Sequence, residues 1–224
     1  MKKVAILIDG GWFKSVLRAE LTTPGQLERP MIKAATIFKN AVSVIDHEGE
    51  GEEIFRIYYY DARPYDGTDR NPIDGELIDF SKSKTYRYGM RVIEELGQMD
   101  QIALRIGDIK PRGWALTDSY IKQAIKNTRS VPPAHPPLLN PQDIYPSLEQ
   151  KGVDMRIGID VANLALQRHV DRIILLSGDT DMIPAMKLAR RAGIQVILVQ
   201  FGGHRIVKEL IEDADFLRKR SPLP

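Results

Sequence analysis

The segment Ile173-Ile174-Leu175-Leu176-Ser177-Gly178-Asp179-Thr180-Asp181-Met182-Ile183-Pro184 constrains the fold of this chain more than any other. Four consecutive large aliphatics are too few for a helix and read as a strand buried on both faces, the pattern of a parallel strand inside an α/β sheet. The apolarity stops at a Ser-Gly turn and two carboxylates. A helical pattern then runs through Met182, Ala185, Met186 and Ala189, with Pro184 tolerable only in its first turn. Open α/β sheets place their sites beyond the carboxyl ends of the strands, which makes Asp179 and Asp181 the first candidates. Asp181 alone could serve as a helix cap. A second carboxylate two residues earlier adds repulsion that a cap does not need and that a metal ion would relieve.

The same arrangement recurs near the N-terminus, where the apolar run Val4 to Ile8 ends in Asp9-Gly10-Gly11 and Trp12, Phe13, Val16 and Leu17 follow at helical spacing. Met31 to Ile45 predicts a helix, Ile54 to Tyr60 a strand ending at Asp61, Tyr65 to Gly75 a loop, Leu77 to Leu96 a helix and Ile102 to Ile106 a strand. Organisation then loosens. Gly107 to Ile125 offers only a short helix around Tyr120 to Ile125, and Pro132, Pro133, Pro136, Pro137, Pro141 and Pro146 predict an irregular surface loop. From Asp154 the pattern resumes with a helix over Met155 to Leu166, the strand Arg172 to Leu176, a helix Met182 to Ala192 closed by Gly193, a strand Ile194 to Val199 and a last helix around Ile206 to Ile211. Strands alternating with helices predict an α/β fold with a doubly wound, mainly parallel sheet. The expected organisation is one domain over residues 1–216 carrying a basic, proline-rich insert at about 107–150, then a basic tail at 217–224 with Arg218, Lys219 and Arg220.

A chain of 224 residues with 43% hydrophobic content can build a sizeable core. It has no cysteine, hence no disulfide, thiolate metal site or cysteine nucleophile, and His47, His135, His169 and His204 lack paired ligand spacing. A metal would be held by oxygen, which favours Mg2+ or Mn2+ over zinc. No segment approaches the ~20 apolar residues of a membrane span, and Val4 to Ile8 is too short for a signal-peptide core. A cytoplasmic protein with no membrane partner is therefore expected.

A helix that precedes a parallel strand runs antiparallel to it. Asp154, at the start of Met155 to Leu166, is thus expected on the same sheet edge as Asp9 and Asp179, although it could be one more helix cap. Asp160 lies six residues on, roughly 9 Å along the axis and on another face, where Arg156 could pair with it. It forms a second tier with Asp61, at the tip of its own strand, and with Ser177, which could position water or phosphate or simply make the turn.

Val4-Ala5-Ile6-Leu7-Ile8-Asp9-Gly10, Lys151-Gly152-Val153-Asp154 with Asp160, and Ser177-Gly178-Asp179-Thr180-Asp181-Met182-Ile183-Pro184 followed by Gly193-Ile194, in this order, resemble the NYN domain family, LabA-like branch, within the PIN-like nucleases. The resemblance covers most of residues 1–61 and 150–216. It implies a PIN-like, Rossmannoid three-layer sandwich and a metal-dependent ribonuclease whose acids match Asp9, Asp154, Asp179 and Asp181. Asp9, Asp154 and Asp179 would form the Mg2+ or Mn2+ site, with Asp9 and Asp179 as the primary ligands and Asp154 and Asp181 bound directly or through water. Many relatives carry Asn three residues after the first Asp; this chain has Trp12.

The formal charge of +2 announces no nucleic-acid binder, so a basic surface must be local. Residues 82–129 hold ten Lys and Arg against five acids, interleaved with Tyr86, Tyr88, Trp114 and Tyr120. Such a mix suits phosphate contacts and base stacking on a single strand, with Lys110, Arg112, Lys122, Lys126 and Arg129 as the expected contacts, and RNA ahead of DNA as the partner. A solvated helix face would account for the same charges. A haloacid-dehalogenase phosphatase would need Asp where Gly11 stands, a Toprim nuclease would need Glu in place of Asp9, and phosphate-binding glycine fingerprints are absent. The remaining alternative is a non-catalytic PIN-like regulator that binds RNA or protein. A homodimer stays open.

Overall fold

Val4 to Ile8 are fully buried, and Ile173 to Leu176 nearly so. The computed structural model, which describes residues 1–23, 25, 30–129 and 134–224, makes these two runs neighbours. Strand β1 (Lys2–Asp9) pairs in parallel with β7 (Arg172–Leu176), Ile8 opposite Leu176, and on its other side with β2 (Glu52–Ala62), Asp9 opposite Tyr60. Two strands apolar on both faces occupy the middle of the sheet because only there do both faces find cover. Outward from them lie β8 (Gln195–Phe201) and β9 (Phe216–Arg220) on one side and β5 (Ile102–Leu116) on the other. With β6 (Ile144–Lys151) the hydrogen-bonded order is β6-β5-β2-β1-β7-β8-β9. All these pairings are parallel except β5 with β6. The result is a mainly parallel, seven-stranded sheet with flanking helices, an α/β fold of the expected class.

The chain divides into two compact units. The first comprises Met1–Ala62, Met90–Gly107 and Gly152–Pro224. It holds α1 (Gly10–Glu20), α2 (Ala34–Val42), α5 (Val153–Leu166), α6 (Ile183–Arg191) and α7 (Lys208–Glu212). Helix α5 buries Val153, Ile157, Val161, Leu164 and Ala165, one stripe at helical spacing, and packs on α6 and β2. The second unit comprises Arg63–Gly89 and Asp108–Lys151. It contains the small β3 (Thr68–Arg70) and β4 (Leu77–Asp79) pair, the distal half of β5 with β6, and α4 (Asp118–Thr128). Helix α3 (Lys84–Gly97) begins in the second unit and ends in the first.

Three sequence expectations change. Ile102 to Ile106 is only the first part of β5, which continues to Leu116 and pairs antiparallel with β6 from within the proline-rich region; Pro132 and Pro133 lie outside the described residues. Most of that distal ladder stays partly exposed, so no alternating apolar pattern marks it, and Pro111 falls at the register shift, where a missing N–H costs least. The helix expected from Leu77 starts only at Lys84, because Leu77–Asp79 is β4 and Phe80–Lys82 a 3-10 turn capped by Asp79. The expected basic tail is built into the fold. Arg218 in β9 donates twice to the Glu52 carboxylate, both at 2.9 Å, and Leu223 exchanges backbone hydrogen bonds with the Asn40 side chain. Glu52 is 1% exposed and also receives Arg172 Nη1 at 2.7 Å, so β2, β7 and β9 are joined by a buried ionic cluster.

Candidate functional site

The carboxyl ends of β1 and β7 are adjacent, and the chain turns sharply after each. Asp9 is the N-cap of α1, accepting the Trp12 N–H at 3.1 Å on Oδ1. Asp179 caps the turn Thr180–Met182 that leads into α6, accepting the Asp181 N–H at 2.9 Å. The capping task considered for Asp181 thus belongs to Asp179. Between the two turns stands Ser177, 0% exposed. Its hydroxyl donates to Asp9 Oδ2 at 3.3 Å and accepts the Asp179 N–H at 3.1 Å. The buried Ser177 hydroxyl is thus engaged with the Asp9 carboxylate and the Asp179 backbone at once.

Asp154 lies in the first turn of α5 but is not its cap. Gly152 occupies that position in a left-handed conformation, φ 77°, where a residue with a Cβ would be strained. The Asp154 and Asp181 carboxylates are exposed, and neither makes a side-chain hydrogen bond or ion pair among the described residues. Burial raises the Asp9 carboxyl above its ordinary value, and the charges of Asp154 and Asp179 add to the effect. Burial likewise raises Asp154, reinforced by Asp179 and Asp181. These four acids feel one another, and no described Lys or Arg pairs with any of them.

The second-tier acids are elsewhere engaged. Asp160 accepts Arg105 Nε–H at 2.7 Å and the Tyr60 hydroxyl at 2.8 Å, so its cation comes from β5 and not from Arg156. That pairing follows from sheet order, which no local spacing announces. Asp61 accepts the Lys14 ammonium at 2.5 Å and the Tyr59 hydroxyl at 2.8 Å, which satisfies a buried carboxylate. Asp61 and Asp160 thus each have a cationic partner, which Asp9, Asp154, Asp179 and Asp181 lack among the described residues.

Trp12 and His204 were not singled out together by sequence. Their rings meet edge to face, centroids 5.5 Å apart at 76°. His204 follows β8, the strand next to β7, so its approach to the site is a consequence of strand order.

The donors of this cluster are all carboxylate oxygens without a compensating charge among the described residues, which fits a hard divalent ion. Among the described residues no three acids or histidines are drawn into a ready-made cage. In the second unit, Lys122, Lys126 and Arg129 fall at i, i+4 and i+7 along and just beyond α4, all exposed and without an ion pair among the described residues. Lys110 is exposed in β5 as well, whereas Arg112 is paired with Glu149.

A family model described as NYN domain matches residues 73–218 of this chain. The matched segment includes Asp154, Asp179 and Asp181, and Asp9 lies ahead of it. An uncharacterised protein, y4oD, from Sinorhizobium fredii (strain NBRC 101917 / NGR234) is 41% identical over 51 residues, 23% of this chain and 24% of that protein. The chain thus matches about a quarter of that relative's length. A crystal structure of a protein of unknown function, VPA0982, from Vibrio parahaemolyticus RIMD 2210633 aligns over 97% of this chain and 92% of its own, at a TM-score of 0.45 and 15% identity. No helix among the described residues is long and apolar enough to cross a membrane.

Proposed function

The chain belongs to the NYN domain family, which implies a nuclease, and from that membership we propose a divalent-metal-dependent endoribonuclease of the LabA-like branch acting on single-stranded RNA. The observation that carries the reading is the set of four uncompensated carboxylates, Asp9, Asp154, Asp179 and Asp181, around the carboxyl ends of β1 and β7. Asp9, Asp154 and Asp179 would hold Mg2+ or Mn2+, with Asp181 bound directly or through water. When bound, such an ion neutralises phosphate charge and makes water more acidic. The chain's own residues do the rest. Ser177 and the Trp12 N–H fix Asp9 from two sides, and the Asp181 N–H fixes Asp179. Asp181, exposed, is the carboxylate suited to take the proton from an attacking water. Lys122, Lys126 and Arg129, with Lys110 and a smaller share from Arg112, would contact the phosphates of the strand.

One observation favours a second reading, a PIN-like regulator that binds RNA or protein without turnover: the acids form no three-ligand cage among the described residues. Incubation of end-labelled single-stranded RNA with Mn2+ or with EDTA separates the two. Internal cleavage that EDTA abolishes supports the nuclease; binding with no cleavage under either condition supports the regulator.

A further inference from the structure

We infer that Trp12 and His204 form a base-stacking wall beside the acids, so that the unpaired base of a single-stranded nucleotide seats on the indole. The inference deepens the nuclease reading and rests on it for the substrate class. Trp12 is tied to the turn that carries Asp9 by its own N–H, 3.1 Å from Asp9 Oδ1. Its indole edge lies against the backbone of Gly178: a Cβ added there would come within 2.3 Å of Trp12 Nε1 and 2.9 Å of Cε2, so any larger residue at 178 would push the indole from its place. The His204 ring stands 5.5 Å from it. His204 is not on a loose loop, because the neighbouring Gly203 N–H donates to Glu20 Oε1 of α1 at 3.1 Å, and Phe201 packs on Phe13 at 5.2 Å. The wall is therefore assembled from the ends of three adjacent strands, β1, β7 and β8, two of which also supply Asp9 and Asp179.

Both rings remain partly exposed, unlike Phe13 and Phe201, which are fully buried. A partly exposed indole fixed to the same turn as Asp9 offers an unpaired base an aromatic surface beside the carboxylates. Stacking accepts any base, so this wall selects unpaired strands and not a sequence.

Trp12 and Trp114 are the two tryptophans of the chain, which gives a direct reporter. In a Trp114→Phe protein kept in EDTA, Trp12 emission is followed while a single-stranded oligouridylate is added, with binding monitored independently by fluorescence anisotropy of a labelled strand. Saturating RNA is expected to quench Trp12, a duplex of the same length to leave it unchanged, and a strand of abasic nucleotides to bind without quenching. In Mn2+, Trp12→Ala and His204→Ala are expected to raise KM for the single strand, Trp12→Ala by about tenfold, with Trp12→Phe recovering most of the loss. Unchanged Trp12 emission at saturating RNA, or absence of any RNA binding, overturns the wall. Cleavage without quenching leaves the nuclease standing and removes the wall; quenching without cleavage keeps the wall and removes the nuclease.

Discussion

The hydroxyl of Ser177 donates to Asp9 Oδ2 at 3.3 Å, joining the last residue of β1 to the first residue beyond β7. Because the same oxygen accepts the Asp179 N–H, one buried hydroxyl sets the spacing of two acids that would otherwise move apart. Ser177→Ala should therefore lower metal affinity more than it lowers folding stability. The expected result is an approximately tenfold weaker Mn2+ dependence of cleavage with a loss of about 1 kcal/mol in unfolding free energy. Denaturant unfolding and a Mn2+ titration of the cleavage rate check it.

Metal binding to the folded state alone must raise its melting temperature. If Asp9, Asp154 and Asp179 hold the ion, Mn2+ at a hundred times its Kd adds about 2.7 kcal/mol. A thermal melt of metal-stripped protein across a Mn2+ series measures this; an unchanged melting temperature at millimolar Mn2+ contradicts the site.

Asp160 offers a control. It is committed to Arg105 and Tyr60, so Asp160→Asn should cost about 1–3 kcal/mol of stability and leave the cleavage rate within twofold of wild type. A large loss of rate in a stably folded Asp160→Asn protein would return this acid to the catalytic set.

The ionic cluster at the other end of the sheet predicts acid sensitivity. Burial works to raise Glu52, but hydrogen bonds from Arg218, the Asp46 N–H and Arg172 outweigh it and hold the carboxyl at about 2, below its ordinary 4.5. The stability this lends, on the order of 3 kcal/mol, is fully present above the ordinary value, declines as pH falls through it and is gone below the folded one. Glu52→Gln should flatten that part of the stability profile and, by stranding two arginines, destabilise the neutral protein by about 3–5 kcal/mol. Urea unfolding from pH 7 down to pH 3 tests both statements.

The central strands and the positions of Asp9, Asp179 and Asp181 were legible because they follow from short-range rules, an apolar run between turns and then a carboxylate at or just past the tip, and Asp154 because a helix that precedes a parallel strand runs antiparallel to it. What lay hidden depends on which strands are neighbours. Arg105 reaches Asp160, Arg218 reaches Glu52 and His204 reaches Trp12 across gaps of sequence that only sheet order closes. Residues 217–224 read as a basic tail because Arg218 carries no local sign that its partner is a buried glutamate. β6 was missed for a different reason: an exposed antiparallel edge has no buried face to write a pattern into the sequence.

Substrate contact by the second unit has its own test. Changing Lys122, Lys126 and Arg129 to Glu should weaken RNA binding and flatten its salt dependence by about three phosphate contacts, with thermal stability nearly unchanged. Filter binding across a salt series reads the slope; an unaltered affinity at low salt makes the stripe an ordinary solvated face.

The most direct test is the Mn2+-dependent cleavage rate of Asp179→Asn. Asparagine caps the turn about as well as aspartate and removes only the charge, so the fold should persist, with metal-free melting equal to or above wild type as repulsion falls. Cleavage of single-stranded RNA and the Mn2+-linked rise in melting temperature are both expected to be lost in this variant. Wild-type cleavage by a folded Asp179→Asn protein would contradict the site.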